Sequence, residues 1–220
     1  MAKTNISYVC QECGGIHRKW SGRCDHCGAW NTIAEERDEA PSGPGKKVTG
    51  RRIEMQALAM DPSAKPLTRY VSKIDEFDRV AGGGLVPGSA TLIGGDPGIG
   101  KSTLLLQLVC KLSQNGLKAA YISGEESADQ VRMRARRLGL SDSNVELATA
   151  TNASDIAASI GGPDSPDIVV IDSIQTMFLP SLDSAPGTVS QVRATAQELI
   201  RATKQHNTAL LIVGHVTKDG

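Results

Sequence analysis

The sequence is short of several features that mark whole classes of proteins. Aromatic residues make up only 3% of its 220 residues, whereas glycine occurs 23 times. This composition favours an α/β nucleotide-binding domain over a β-sandwich. Lysine and arginine together number 24, as do aspartate and glutamate, so the formal net charge is zero. Without a chain-wide attraction to nucleic acid, any contact with DNA must be local.

Two further absences concern membranes and cellular compartment. No apolar run approaches the length of a transmembrane helix, so we expect no membrane association. Residues 1–20 also contain no apolar run of the kind found in secretory signals. We therefore expect a cytoplasmic protein, in which disulfides are rare.

Four of the five cysteines form two Cys-x-x-Cys pairs within CQECGGIHRKWSGRCDHCGAW. The four are Cys10, Cys13, Cys24 and Cys27. Four soft thiolates suit tetrahedral zinc, and glycines beside each pair allow tight turns around the ion. Two disulfides or a redox pair are the alternatives, which the missing secretory signal disfavours. We interpret residues 1–34 as a ribbon that binds structural zinc, with His17 and His26 on its surface.

The segments after this ribbon differ in composition and pattern. Residues 35–66 mix charge with Pro, Gly and Ser, which predicts a flexible linker. From residue 67 to 220, strand-like and helix-like apolar patterns alternate. Strands are predicted at 90–94, 118–123, 144–148, 167–172 and 208–214, and helices at 101–114, 127–138, 153–160 and 188–206. This alternation predicts a parallel sheet with helices on both faces.

The most specific motif is LIGGDPGIGKSTLLLQL, which fits the phosphate-loop pattern G-x-x-x-x-G-K-[ST] between a predicted strand and a predicted helix. Glycines allow successive backbone N–H groups to point at phosphate oxygens, and the helix N-terminus adds a favourable dipole. Lys101 is expected to reach the β- and γ-phosphates of ATP, and Ser102 to hold Mg²⁺. The predicted nucleotide-binding residues are Gly95, Asp96, Pro97, Gly98, Ile99, Gly100, Lys101, Ser102 and Thr103.

Polar residues at the ends of three predicted strands complete the candidate site. Asp172 ends the apolar run IVVID and is the candidate to anchor magnesium, unless it only caps the next segment. Glu125 follows the strand KAAYIS, where active-site residues of open α/β sheets collect. We assign Glu125 the catalytic role of activating water, alongside Lys101, with Glu126 as the fallback. His215 ends the last strand and is either a γ-phosphate sensor or an idle residue.

The helix that follows Glu126 carries the arginine-rich run VRMRARR. Its arginines are Arg132, Arg134, Arg136 and Arg137. We interpret them as the polar face of an amphipathic helix, with a subunit or DNA contact as the alternative.

Together these motifs resemble the bacterial RadA (Sms) family of DNA repair and recombination ATPases. The resemblance rests on the ribbon with its HRKWSGRC interior and on FDRVAGGGLVPGSATLIGGDPGIGKSTLLLQL, YISGEES, VVIDSIQT and VGHVTKDG. It implies a RecA-like core and an ATP-driven, DNA-stimulated protein that forms a ring, expected to be hexameric. The implied partners are single-stranded DNA, branched recombination intermediates and RecA filaments. By the same resemblance, the four paired cysteines are zinc ligands, Glu125 is the catalytic glutamate and Asp172 anchors magnesium.

The sequence departs from this family at its end. It stops at Gly220, directly after a predicted core strand. Members of the family continue with DNA-binding loops, a Lys-Asn-Arg-Phe-Gly motif and a domain like that of Lon protease. We therefore interpret the sequence as the N-terminal portion of such a protein. An ATPase that acts on a protein partner and a non-catalytic ATP-binding module are the alternative functions.

Overall fold

A computed structural model of the chain describes residues 6–10, 16–17, 19–25, 28–37, 55, 68–161 and 164–215. The chain divides into two compact units, Met1–Leu67 and Thr68–Gly220. Most of the segment predicted as a linker, 35–66, lies outside the described residues. Within the described part of the chain, no helix is both long enough and apolar enough to cross a membrane.

The first unit contains a small antiparallel sheet. Its strands are β1 (Ile6–Cys10), β2 (Ile16–His17) and β3 (Ile33–Arg37), in the order β2-β1-β3. Strand β3 continues beyond residue 34 because it pairs with β1 along its whole length, from Cys10 opposite Ile33 to Ile6 opposite Arg37. Cys10, Cys24 and Ile33 are buried and form the core of this unit.

The second unit is a five-stranded parallel sheet covered by helices. Its strands are β4 (Ala90–Gly95), β5 (Ala119–Ser123), β6 (Glu146–Thr149), β7 (Ile168–Asp172) and β8 (Ala209–His215). Its helices are α1 (Asp75–Val80), α2 (Lys101–Gln114), α3 (Ala128–Arg137), α4 (Ala153–Ile160) and α5 (Val189–Gln205), with a 3₁₀ turn at Ile174–Thr176. The strand order is β4-β8-β7-β5-β6. The predicted alternation of strands and helices is confirmed.

The central strands β7 and β8 are buried on both faces of the sheet. Val170 and Leu211 belong to the apolar cluster that also contains residues of α2, among them Cys110, which is buried as predicted. Ile171 and Ile212 point to the opposite face and belong to the cluster that contains residues of α4 and α5. Because all five strands are parallel, their carboxyl ends meet at one edge of the sheet, where ligands of α/β proteins bind.

Candidate nucleotide-binding site

The phosphate loop joins the carboxyl end of β4 to the N-terminus of α2. Gly98 and Gly100 adopt φ angles of 82° and 97°, a left-handed conformation that favours glycine. A Cβ atom at either position would meet no neighbour within 4 Å, so the backbone conformation and not space requires glycine there. The first turn of α2 contains no acidic residue. The loop is therefore an exposed turn at a helix N-terminus, a geometry suited to binding phosphate.

The side chain of Lys101 folds back over this loop. Its Nζ donates hydrogen bonds to the carbonyl oxygens of Gly95 at 2.7 Å and Asp96 at 2.8 Å. The same nitrogen lies 3.3 Å from Nδ1 of His215. Lys101 is only 6% exposed. Its ammonium group thus lies beside the loop backbone, which is where the sequence motif predicts a phosphate ligand.

Ser102 and Asp172 are in direct contact although 70 residues separate them in the sequence. The Ser102 hydroxyl donates a hydrogen bond to Oδ1 of Asp172 at 3.1 Å. The hydroxyl of Tyr121 donates to the other oxygen, Oδ2. Asp172 is only 4% exposed, so two hydroxyl groups satisfy a buried carboxyl group. A hydroxyl at the start of α2 and a carboxylate at the end of β7 are oxygen ligands of the kind that suit Mg²⁺.

The pKa of Tyr121 is raised far above its usual range, first by burial and then by the negative charge of Asp172. The tyrosine hydroxyl therefore remains protonated over the whole physiological pH range and acts as a donor to Asp172.

Glu125 follows β5, and its carboxylate contacts the imidazole ring of His215, which also contacts Lys101. Its Oε1 accepts a hydrogen bond from the hydroxyl of Ser173 and lies 3.3 Å from Nε2 of His215. The other ring nitrogen of His215 contacts Lys101. The backbone carbonyl of His215 accepts a hydrogen bond from Nε2 of Gln175 at 3.3 Å. The structure thus brings together three residues that the sequence singled out: Lys101, Glu125 and His215.

Glu126, the fallback for Glu125, makes different contacts. Its carboxylate forms an ion pair with Arg134 of α3, and its backbone N–H donates to the Ser123 hydroxyl at 2.9 Å. The Arg134 side chain is only 14% exposed. The polar face predicted for this helix is therefore not uniformly exposed, because the helix turns Arg134 toward Glu126. Arg132 lies on the exposed part of that face and pairs with Asp129 at 3.0 Å.

Gly124 allows β5 and the turn after β7 to approach closely. Its N–H donates to the carbonyl oxygen of Asp172 at 2.8 Å. A Cβ atom on Gly124 would overlap Oγ1 of Thr176 and would lie 3.0 Å from Cε of Met177. This close contact holds the loop that carries Glu125 against the loop that carries Ser173.

Sequence reasoning did not single out Tyr121 or Ser173. Both residues act through contacts between neighbouring strands, and the signal that could have found them is strand register. Ser123 lies opposite Asp172, and Tyr121 lies opposite Val170, two residues earlier. Side chains two residues apart on a strand share a face, so Tyr121 and Asp172 lie diagonally on one face.

In the first unit, Cys10 and Cys24 are buried at 0% and 1% exposure. Thr32 Oγ1 lies 3.3 Å from the Cys10 sulfur, and His17 Nε2 lies 3.3 Å from the Cys24 sulfur. Polar neighbours of this kind stabilise metal-bound thiolates, so these residues fit a zinc ribbon.

The remaining predictions for this ribbon concern two further cysteines and two histidines. Cys13, Cys27 and His26 lie outside the described residues. The prediction that His17 lies on the surface is wrong. It is only 9% exposed, because its ring packs against Cys24 and lies 3.7 Å from the carboxylate of Asp25.

Comparison with known families gives two matches along the chain. A family model described as an AAA domain matches residues 62–220. A second model, described as a rubredoxin metal binding domain, matches residues 8–35.

The chain is also similar to curated proteins along its whole length. It is 52% identical to the DNA repair protein RadA of Brucella abortus, covering 100% of this chain and 49% of that protein. It is 49% identical to the DNA repair protein RadA of Pseudomonas aeruginosa, covering 100% and 48%. The chain thus spans about half the length of the curated relatives it matches. These matches confirm the predicted resemblance to the N-terminal portion of bacterial RadA.

Among solved structures, a DnaB-like replicative helicase, described together with its interactions with primase, has a similar fold. The TM-score is 0.58 at 16% identity, over 70% of this chain and 45% of that chain. At this identity the likeness concerns the fold alone. Together with the match to a metal-binding ribbon, it confirms the predicted fold class, an α/β RecA-like P-loop core preceded by a small zinc ribbon.

Proposed function

The chain belongs to the AAA domain family, and we propose that its second unit binds and hydrolyses ATP in DNA repair and homologous recombination. The observation that carries the proposal is the contact between Ser102 and Asp172, at 3.1 Å, beside the phosphate loop. It joins the hydroxyl of the phosphate-loop motif to a buried carboxyl group, which is the ligand pair that nucleotide-bound magnesium uses in P-loop enzymes.

Each part of the site has a role in binding. The backbone N–H groups of the loop from Gly95 to Thr103 cradle the phosphates, with ATP or ADP as the ligand. Lys101 exchanges its contacts with loop carbonyl oxygens for contacts with the β- and γ-phosphates. Ser102 and Asp172 hold Mg²⁺, which supplies charge neutralisation for the phosphoryl group.

Residues at the ends of the neighbouring strands have roles in hydrolysis. Glu125 orients and activates the attacking water, and Ser173 fixes the orientation of its carboxylate through a hydrogen bond. His215 senses the γ-phosphate, because it contacts both Lys101 and Glu125 and so responds when either side chain moves.

The proposal extends to the whole protein, of which this chain covers about half by comparison with its relatives. It is a DNA-stimulated, helicase-like ATPase that processes branched recombination intermediates and promotes branch migration. Its partners are single-stranded and branched DNA and RecA filaments, and it works as a hexameric ring in the cytoplasm. Similarity to DNA repair proteins named RadA supports this proposal.

The first unit has an accessory role in this proposal. It holds a structural zinc ion through Cys10, Cys13, Cys24 and Cys27. Residues 1–34 form the ribbon, residues 35–66 connect it, and residues 67–220 form the ATPase core.

The test measures ATP hydrolysis by this chain and by a protein of the relatives' full length that carries it, each with and without a single-stranded oligonucleotide. We expect magnesium-dependent hydrolysis that Lys101→Ala removes, with stimulation by DNA in the full-length protein. Hydrolysis that survives Lys101→Ala would contradict the assigned site. Hydrolysis without any response to DNA would favour an ATPase that acts on a protein partner.

A further inference from the structure

We propose that Tyr121 is a positioning residue that fixes the carboxylate of Asp172 for magnesium binding. The inference rests on the proposed ATP site and adds a residue that lies outside the phosphate-loop motif. It assigns the tyrosine hydroxyl a role in metal affinity and not only in folding.

The fold places the two residues on one face of the sheet. Strands β5 and β7 are neighbours, with Tyr121 opposite Val170 and Ser123 opposite Asp172. The Tyr121 side chain therefore reaches diagonally toward the end of β7, where Asp172 lies. The residue is fully buried within the apolar cluster on the α2 side of the sheet. In such a setting the ring has little freedom to move, so its hydroxyl occupies a fixed position.

The hydrogen bonds of Asp172 divide between its two oxygens. Oδ1 accepts from Ser102 and Oδ2 accepts from Tyr121. Within the described residues, these two hydroxyls are the only side-chain donors to Asp172. If Ser102 were engaged by Mg²⁺, Tyr121 would still donate to Oδ2 and would hold the plane of the carboxylate, with Oδ1 directed toward Ser102. A donor that binds one oxygen of a metal-binding carboxylate fixes the orientation of the other oxygen.

A purely apolar role for this position would be served by phenylalanine. A hydroxyl buried in an apolar cluster is costly unless it has a partner, and here the partner is the carboxyl group at the candidate magnesium site. The hydroxyl of Tyr121 therefore marks a functional requirement at an otherwise apolar strand position.

The test uses Tyr121→Phe in the whole chain and measures the affinity for a fluorescent ADP analogue as Mg²⁺ is titrated. Loss of the hydrogen bond from Tyr121 to Asp172 is expected to raise the half-saturating Mg²⁺ concentration about tenfold. Affinity for the analogue without Mg²⁺ should stay within about twofold, because the hydrogen bond of the Tyr121 side chain found among the described residues goes to Asp172 and not to the phosphate loop. Tyr70→Phe is the matched control, since the pKa of Tyr70 is also raised, first by burial and then by a carboxylate, that of Asp167, which is not part of the site. It should leave the Mg²⁺ titration unchanged.

A double-mutant cycle shows whether Tyr121 acts through Asp172. In an Asp172→Asn background, adding Tyr121→Phe should change the Mg²⁺ requirement by less than about twofold. A full additional loss in that background would overturn the inference, and so would an unchanged Mg²⁺ requirement in Tyr121→Phe alone. These results would leave the proposed function standing. Wild-type protein whose ADP affinity does not depend on Mg²⁺ would instead contradict the proposed ATP site, and the inference with it.

Discussion

Lys101 and Glu125 lie on opposite sides of one imidazole ring. Nδ1 of His215 is 3.3 Å from the lysine Nζ, and Nε2 is 3.3 Å from Oε1 of the glutamate. The proposed phosphate-binding residue and the proposed water-orienting residue are thereby connected through one side chain at the end of β8. Movement of the lysine toward a phosphate group would break its contact with the ring and free the ring to reorient toward the γ-phosphate.

Substitutions at Lys101 and Glu125 should separate binding from hydrolysis. Lys101→Ala removes a cation from the β- and γ-phosphates and should weaken ATP binding. Glu125→Gln keeps the shape but removes the base, so binding should persist while turnover falls by about 10²-fold or more. Equilibrium binding of a fluorescent ATP analogue and single-turnover hydrolysis measure the two effects. An equal loss of binding in both variants would mean that Glu125 is a structural or magnesium-binding residue.

His215→Ala should lower turnover more than it weakens ADP binding, because the ring connects the two parts of the site. A hydrogen bond to a charged group is worth roughly 1.5–3 kcal/mol, so the rate should fall at least about tenfold. His206→Ala is the matched control, since His206 is exposed and caps the far end of α5. Steady-state hydrolysis and ADP affinity should be measured for both variants. Wild-type turnover in His215→Ala would show that the histidine is idle.

Gly124→Ala should destabilise the second unit, because the added Cβ would overlap Oγ1 of Thr176. Overpacking of this kind costs about 1–3 kcal/mol. Urea unfolding measures the change, and the double variant Gly124→Ala with Thr176→Ala should recover part of the loss by removing that oxygen. Unchanged stability in the single variant would show that the two loops separate readily, and that Gly124 does not hold Glu125 in place.

The zinc ribbon offers a prediction with an internal control. Purified protein should contain one zinc ion per chain, since four cysteine thiolates complete a closed tetrahedral site. Cys24→Ser combined with Cys27→Ser should abolish zinc binding, whereas Cys110→Ser should keep it, because Cys110 is buried in α2 of the other unit. Elemental analysis of the three proteins decides the matter. Zinc retained without Cys24 and Cys27 would mean that other residues bind it.

Much of the fold follows from local pattern. Helix α4 was predicted at 153–160 and is found at those residues, because Asn152 caps its start and Gly161 follows its end. Strand β6 was predicted at 144–148 but spans Glu146–Thr149. It is an edge strand with mostly exposed side chains, so its apolar pattern is weak.

The site was predictable only where one short segment carries the chemistry. The phosphate loop could be identified because its residues are contiguous in the sequence and each residue type has a physical role in binding phosphate or Mg²⁺. The contact of Tyr121 with Asp172 depends on β5 lying beside β7, and the sequence does not encode strand order in any local pattern. The burial of His17 and Arg134 likewise depends on partners, Cys24 and Glu126, that approach only after folding. Periodicity reports which face of an element is apolar, and not which polar side chains find a partner.

The last prediction concerns DNA binding by this chain alone. The formal net charge is zero, and Arg134 and Arg132 of the arginine helix are already paired with acidic residues. Arg136 and Arg137 make no ion pair within the described part of the chain. We expect weak binding of single-stranded DNA with a shallow salt dependence. Two phosphate contacts would give a slope of about −1.4 in a plot of log affinity against log salt concentration.

Fluorescence anisotropy with a labelled oligonucleotide at several salt concentrations measures this slope. The variant Arg136→Gln with Arg137→Gln should flatten it further, because few other cations in α3 can neutralise phosphate. The variant Arg132→Gln should change it less, because Asp129 already offsets that charge. Tight binding with a steep slope would show that the arginine helix or the zinc ribbon is a principal DNA site. That result would mean that local clusters of cations outweigh the balanced charge of the whole chain.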